Sequence, residues 1–280
     1  MSILSRIERG DVGLNVETHG EGMGTTVLLL HGWPDDRSLW RHQVPALVEA
    51  GYHVIVPDQR GCGASDRPTE VTAYRMAELV ADAVAVIDTV SAGPVHVVGH
   101  DWGANVAWAL ASFVPDHVAS LTALSVGHPT SFRSAGIEQQ MRTWYPLLFQ
   151  FEGIGEAWLR KDDYLAVRTW LGHPEAERVI ARDQATNFLD THLHWYRANM
   201  PPESWIAPPP VIPDIQCPTM GIWSTGDHAL TEVQMKGSGE FVRGPWRYER
   251  IDGAGHWLPL EEPARVNSLL LDFLATTGEG

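Results

Sequence analysis

Short, mostly apolar runs alternate with longer amphipathic stretches through the first half of the chain. The apolar runs have the length of buried strands and occupy residues 27–30, 53–56, 95–98 and 118–126. The stretches between them place apolar residues at helical spacing, over residues 37–50, 74–90 and 104–113. Near-continuous apolar strands between amphipathic helices predict a mostly parallel sheet with helices on both faces, an α/β fold.

The alternation stops near residue 131 and resumes after residue 207. Residues 131–207 have helical stretches, five of the 12 tryptophans and a proline-rich end, but no convincing strand. Strand patterns return at 218–223 and 246–251, and a last helix is predicted over about 262–274. We therefore predict a core domain of residues 1–130 and 208–280 interrupted by a helical cap, 131–207. A cap over the ends of parallel strands covers the place where open α/β sheets bind ligands.

The composition argues against some classes of binding partner. The 280 residues carry a net charge of −15, which repels phosphate backbones and anionic membrane surfaces. The two cysteines, Cys62 and Cys217, have no metal-binding spacing, and two free thiols are the favoured interpretation. No stretch has the character of a signal peptide or reaches membrane-spanning length, so we expect a cytoplasmic protein. The sequence leaves a monomer and a homodimer both open.

The strongest chemical signal follows the strand at 95–98. The chain continues as GHDWGA over residues 99–104 and then enters a helix, which is the strand–turn–helix context of a nucleophile elbow. Gly99, Gly103 and Ala104 supply the small side chains that such a sharp turn needs. Helix capping would explain an aspartate near a helix start, but not the two glycines around it. Asp101 is therefore the candidate nucleophile.

An aspartate at this position selects the chemistry. A carboxylate that attacks an acyl carbon would give an anhydride, whereas one that displaces a leaving group from a saturated carbon gives an alkyl ester. Water can cleave that ester at the aspartate carbonyl. The substrate is therefore expected to carry an epoxide oxygen or a halide on a saturated carbon.

Other candidate residues follow other predicted strands. Asp227 and His256 each come just after a strand, and the order nucleophile, acid, histidine is that of α/β-hydrolases. His256 would take a proton from water while Asp227 stabilises the imidazolium. The segment LHGWP over 30–34 comes at the end of the apolar run at 27–30. The backbone N–H groups of Trp33 and Trp102 could together form an oxyanion hole.

Taken together, these segments resemble the epoxide hydrolases of the α/β-hydrolase superfamily, which are related to the haloalkane dehalogenases. The resemblance rests on HGWP at 31–34, GCGASDRP at 61–68, GHDWG at 99–103, WYR at 195–197 and GHW at 255–257. It implies an α/β-hydrolase fold, Asp101 as nucleophile, Asp227 as acid and His256 as base. It also implies cap tyrosines that hydrogen-bond the epoxide oxygen, one of them at Tyr196.

The position of the second cap tyrosine departs from the family pattern. The segment YPLLFQ at 145–150 has Leu148 where we expect tyrosine. Tyr145, or a cap tryptophan or histidine, could take its place, while packing within the cap is the simpler interpretation of Tyr145. The aromatic content of the cap favours a small apolar or aromatic epoxide, with water as the second substrate. Neither a cofactor nor a metal is predicted.

Two other functions compete with epoxide hydrolysis. A haloalkane dehalogenase would use the same Asp101, with the Trp102 indole N–H binding the halide. The sequence favours the epoxide, because a tyrosine such as Tyr196 can protonate an alkoxide whereas a halide needs no proton. A non-catalytic binding protein on the same scaffold is less favoured, since it would not need to keep Asp101, Asp227 and His256 together.

Overall fold

The computed structural model describes residues 2–277. Its strands are β1 (Ser2–Arg9), β2 (Val12–His19), β3 (Thr26–Leu30), β4 (His53–Pro57), β5 (Val95–His100), β6 (Val118–Leu124), β7 (Thr219–Ser224) and β8 (Trp246–Ile251). They form one sheet in the order β1-β2-β4-β3-β5-β6-β7-β8. The β1–β2 and β2–β4 pairs are antiparallel, and the other pairs are parallel.

The helices lie between and after these strands. They are α1 (Gln43–Glu49), α2 (Met76–Val90), α3 (Trp102–Phe113), α4 (Pro129–Ser134), α5 (Ile137–Arg142), α6 (Tyr145–Phe149), α7 (Ile154–Thr169), α8 (Ala176–Thr186), α9 (Leu189–His192), α10 (His194–Asn199), α11 (Glu232–Lys236), α12 (Leu258–Glu261) and α13 (Pro263–Thr277). Five 3₁₀ turns occupy Arg37–Trp40, Val71–Tyr74, Pro115–His117, Pro202–Trp205 and Gly237–Phe241. Helix α7 is kinked, with non-helical backbone from Lys161 to Tyr164.

The predicted α/β-hydrolase fold is confirmed, and the burial of its strands explains the sequence pattern. Every residue of β3, β4, β5 and β7 is buried, as expected for parallel strands covered on both faces. Strand β5 lies between β3 and β6 near the middle of the sheet. A residue that follows β5 is therefore held near the middle of a buried sheet.

Two strands were not predicted. The hairpin of β1 and β2 adds an antiparallel edge to the sheet, and its turn contains Gly10 with φ 58°. Glycine adopts this left-handed conformation without a Cβ clash. Apolar residues of β2 face the core, whereas most of β1 is exposed.

The insert between β6 and β7 consists of helices α4–α10 and one 3₁₀ turn, with no strand among its described residues. Several contacts tie it to the rest of the chain. Arg41 lies 2.5 Å from Glu175, Arg182 pairs with Asp36, and the Trp195 indole donates to the Arg60 carbonyl at 3.0 Å. None of the helices between residues 2 and 277 is long and apolar enough to cross a membrane.

Both cysteines are free thiols. Cys62 is buried, and its Sγ lies 2.8 Å from the Nε2 of His192, which belongs to the insert. Burial raises the pKa of the Cys62 thiol well above its usual value. A protonated, inaccessible thiol is a poor nucleophile, so Cys62 contributes to packing between the core and the insert.

Candidate active site

The turn after β5 gives Asp101 a strained backbone. Asp101 has φ 53° and ψ −119°, a conformation that residues with a Cβ rarely adopt. The neighbours must be small: a Cβ at Gly99 would lie 2.3 Å from the Gly103 carbonyl oxygen, and one at Gly103 would lie 2.0 Å from that of Leu30. A Cβ at Gly32 would also collide with the Asp101 side chain, at 2.4 Å. The glycines are therefore required by the close approach of three backbone segments around Asp101.

The two carboxylate oxygens of Asp101 have different surroundings. The backbone N–H of Trp33 donates to Oδ1 at 2.8 Å. Oδ2 lies 3.6 Å from the His256 Nε2. Trp102 is the first residue of α3, so its N–H belongs to the unpaired amino end of a helix that begins beside Asp101. One oxygen is thus fixed by the backbone, and the other faces the histidine.

His256 is joined to Asp227 by a short side-chain contact. Its Nδ1 lies 2.8 Å from Asp227 Oδ2, and the Asp227 Oδ1 accepts the N–H groups of Ala229 and Leu230 at 2.9 Å each. The side chains of Asp227 and His256 are almost fully buried. The structure therefore brings together Asp101, His256 and Asp227, which are far apart in the sequence.

The electrostatic interactions among Asp101, His256 and Asp227 shift the pKa values of His256 and Asp227. Burial alone would lower the pKa of His256, but the charge of Asp227 and the contacts with Asp101 raise it to about 10. Burial opposes ionisation of Asp227 as well, yet His256 and the two backbone donors hold the pKa of Asp227 below its usual value. A protonated imidazole between two carboxylates is the state favoured near neutral pH.

We expect Asp101→Asn to lower the pKa of His256, because it removes one of the two carboxylates that stabilise the imidazolium. NMR titration of ¹⁵N-labelled histidine measures the midpoint in both proteins. Asp88→Asn is the matched control, since Asp88 is a surface carboxylate next to His117 and its removal should leave the His256 midpoint unchanged. An unchanged midpoint in Asp101→Asn would show that the two side chains are not electrostatically coupled.

Two residues that the sequence analysis did not single out hold the His256 backbone. His100 Nε2 lies 2.9 Å from the His256 carbonyl oxygen, and the Ser125 hydroxyl donates to the same oxygen at 3.0 Å. Burial and the charge of His256 lower the pKa of His100 to about 4, so its neutral imidazole acts as the donor. His100 directly precedes Asp101 in the GHDWG segment. That position next to the candidate nucleophile is the sequence feature that could have identified His100.

A second hydrogen-bond network connects the insert to Trp257, the residue after His256. The Trp257 indole donates to Asp35 Oδ2 at 2.9 Å, and His173 Nε2 lies 3.2 Å from Asp35 Oδ1. Burial disfavours the Asp35 carboxylate, but the charges of His173 and Arg182 hold its pKa well below the usual range. Through this carboxylate the insert is fixed to the loop that carries His256.

Both candidate tyrosines of the insert lie beside the Asp101 site. Tyr145 on α6 and Tyr196 on α10 have ring centroids 5.7 Å apart, and both line cavities that also contain Asp101. Burial and the nearby Asp101 charge raise the pKa of Tyr145, and burial, Tyr145 and Asp101 raise that of Tyr196. Both phenols are therefore protonated at neutral pH. Tyr145 also packs on Trp170, with centroids 5.0 Å apart, so it combines packing with a position in the site.

Two spaces adjoin the Asp101 side chain. The larger has a volume of about 450 Å³, and its walls are mostly apolar, with Phe132, Met200 and Ile212 among them. A surface groove of about 740 Å³ elsewhere contains none of the predicted site residues, and its Arg37, Arg41 and Arg178 are already paired with carboxylates. Across residues 2–277, no group of three or more His, Cys, Asp or Glu side chains could hold a metal ion.

Comparison with known proteins agrees with this geometry. A family model described as the alpha/beta hydrolase fold matches residues 25–154. Epoxide hydrolase A of Mycobacterium tuberculosis is 35% identical and covers 96% of both chains, and the AB hydrolase superfamily protein YfhM of Bacillus subtilis is 31% identical with the same coverage. The crystal structure of epoxide hydrolase A from Mycobacterium thermoresistibile superposes with a TM-score of 0.81 at 31% identity, covering 98% of each chain.

The chain therefore belongs to the α/β-hydrolase superfamily and is a hydrolase. Within the superfamily it is similar to proteins named epoxide hydrolases, as the sequence resemblance predicted. A further similar structure, from epoxide hydrolases of hot-environment metagenomes, has a TM-score of 0.85 at 27% identity and covers 97% of this chain and 98% of that one.

Proposed function

We propose that this hydrolase converts an epoxide and water to a vicinal diol through a covalent ester on Asp101. The observation that carries the proposal is the arrangement around Asp101: one oxygen is held by the Trp33 N–H, the other faces His256, and two protonated tyrosines line the same space. The similarity to epoxide hydrolases over nearly the whole chain supports the substrate class.

In the first half-reaction, Asp101 Oδ2 attacks one carbon of the epoxide ring. The new bond is an ester bond from Oδ2 to carbon, and the bond that breaks joins that carbon to the epoxide oxygen. The leaving alkoxide takes a proton from Tyr196 or Tyr145, whose raised pKa keeps the proton available in the free enzyme. Oδ1 becomes the carbonyl oxygen of the ester while it is held by Trp33.

In the second half-reaction, water attacks the Asp101 carbonyl carbon. Ester formation has removed the charge of Asp101, and with it one of the interactions that raise the pKa of His256. The imidazole can then lose its proton and accept one from water, with Asp227 stabilising the resulting cation. The N–H groups of Trp33 and Trp102 would hold the oxyanion. Cleavage of the ester bond returns the Asp101 carboxylate, and the leaving oxygen takes the second proton of the attacking water, which completes the diol. The tyrosine regains its proton from solvent.

We further propose that residues 131–207 act as a cap that supplies the proton donors and excludes bulk water. Its helices carry Tyr145 and Tyr196, and Arg197 fixes α10 by an ion pair of 2.7 Å with the buried Glu156. Water exclusion strengthens the electrostatic interactions on which both half-reactions depend. Cytoplasmic location and cofactor-free catalysis stay predictions.

Haloalkane dehalogenation is the second candidate, and the position of Trp102 is the observation that favours it. Its side chain lines the larger cavity beside Asp101, where an indole N–H could bind a halide. The paired phenols favour the epoxide instead, because a halide leaves without a proton. Measuring diol and halide release from a panel of epoxides and haloalkanes separates the two functions.

We expect Tyr196→Phe to lower the rate of epoxide turnover by on the order of 10²-fold, the usual scale for a positioned acid, and Tyr145→Phe to do so to a similar extent. Steady-state diol release from each variant measures the loss. Tyr164→Phe is the control, because Tyr164 lies on α7 and its hydroxyl donates to Asp183 at 2.8 Å, within the insert. If both variants keep full epoxide activity, the tyrosines have only a packing role.

A further inference from the structure

Two spaces of very unequal size meet at the proposed nucleophile. The larger has a volume of about 450 Å³ and the smaller about 20 Å³. Three residues line both of them: Asp101, Tyr145 and Tyr196. An epoxide ring between the carboxylate and the phenols therefore has room for a large substituent on one side only.

The smaller space has about the volume that one water molecule needs. A site needs about 10–15 Å³ of this kind of volume to hold one water. His256 lines the smaller space and is absent from the walls of the larger one. The hydrolytic water must lie within reach of His256 and of the Asp101 carbonyl carbon, and only the smaller space adjoins both side chains. A substituent placed there would compete with this water.

The walls of the smaller space resist expansion. Trp33 packs edge-on against Tyr196 with centroids 5.7 Å apart, and Trp170 packs against Tyr145 at 5.0 Å. Trp257 is fixed by its hydrogen bond to Asp35. Leu171, which is 4% exposed, is the aliphatic side chain that completes the wall from the insert. Close-packed walls of this kind do not admit another carbon group without strain.

We propose that this enzyme acts on epoxides that carry all their bulk on one ring carbon, with the large apolar substituent in the larger cavity, and that Leu171 enforces this selection. The proposal rests on the epoxide hydrolase function proposed above. A trans-disubstituted epoxide carries one chain on each ring carbon, and the two chains point in opposite directions. One of them would therefore have to enter the smaller space.

The test compares two isomers of equal composition, 1,2-epoxyoctane and trans-4,5-epoxyoctane. We expect the kcat/KM of diol formation for the internal epoxide to be lower by on the order of 10- to 200-fold, the range over which a hydrophobic pocket discriminates small steric differences. Leu171→Ala enlarges the smaller space and should bring the ratio of the two kcat/KM values at least about tenfold closer to one. The ratio is insensitive to any loss of folded protein.

Leu165→Ala is the matched control, because Leu165 is on the same helix-rich insert, is 52% exposed and lines neither space. Its ratio should equal that of the wild type. If Leu171→Ala folds poorly, Leu171→Val tests the same wall with a smaller change. Equal hydrolysis of both isomers by the wild type would overturn the proposal, as would a wild-type preference that neither Leu171 variant alters. Hydrolysis of neither isomer would instead overturn the epoxide hydrolase function itself.

Discussion

His256→Gln should trap the enzyme after its first half-reaction. The variant keeps Asp101 and the tyrosines, so the ester can form, but glutamine cannot take a proton from water. Turnover should fall by on the order of 10⁴-fold or more, as when a catalytic base is removed from a hydrolase. Intact-protein mass spectrometry after addition of an epoxide should show one added substrate mass, and peptide mapping should place it on Asp101.

His117→Gln is the control for this experiment, since His117 is a partly exposed histidine that contacts Asp88 on the surface. That variant should turn over like the wild type and accumulate no adduct. A His256→Gln protein that loses turnover without forming any adduct, even at millisecond mixing times, would contradict a covalent mechanism. The adduct also separates an enzyme from a binding protein, because a binding protein forms no ester.

Asp101→Asn should abolish turnover, with a loss on the order of 10⁴-fold or more, because a neutral amide is a poor nucleophile towards a saturated carbon. Asp101→Ala should be equally inactive and has no side chain that could be hydrolysed back to aspartate. Diol formation measured by chromatography gives the loss for both. Asp116→Asn, on the surface after α3, is the matched control and should retain activity.

Asp101→Ser gives a positive readout at the same position. It should be inactive on epoxides, yet gain weak activity on activated aryl esters, because Trp33, Asp227 and His256 would then surround a serine hydroxyl. Full epoxide activity in any of the three Asp101 variants would exclude this residue as the nucleophile.

The predictable part of the fold follows from its uniformly buried strands. β3, β4, β5 and β7 are buried throughout and mostly apolar because helices cover both faces of the sheet, and their predicted positions are close to those observed. The β1–β2 hairpin was missed because it has no continuous apolar run: most of β1 is exposed, and the apolar residues of β2 are separated by Gly13 and Asn15. Its turn, Gly10-Asp11, is a dipeptide typical of two-residue hairpins and was a usable signal.

The site was predictable where topology alone brings residues together. Asp101, Asp227 and His256 each follow a parallel strand, so their meeting at one edge of the sheet follows from strand order. The direction of Tyr145 was not predictable, because it depends on how α6 packs against Trp170 and Tyr196 from other parts of the insert. The unequal volumes on the two sides of Asp101 likewise depend on tertiary packing of aromatic side chains.

Oxygen transfer in a single turnover tests the nucleophilic role of Asp101 most directly. With enzyme in excess over an epoxide in ¹⁸O-labelled water, the first diol should carry unlabelled oxygen from the Asp101 carboxylate, and the label should appear in the Asp101 peptide. This follows because, in the proposed mechanism, water attacks the carbonyl carbon of the ester and not the epoxide. Label in the diol on the first turnover, with an unlabelled Asp101 peptide, would mean that water attacks the epoxide directly and that Asp101 is at most its base.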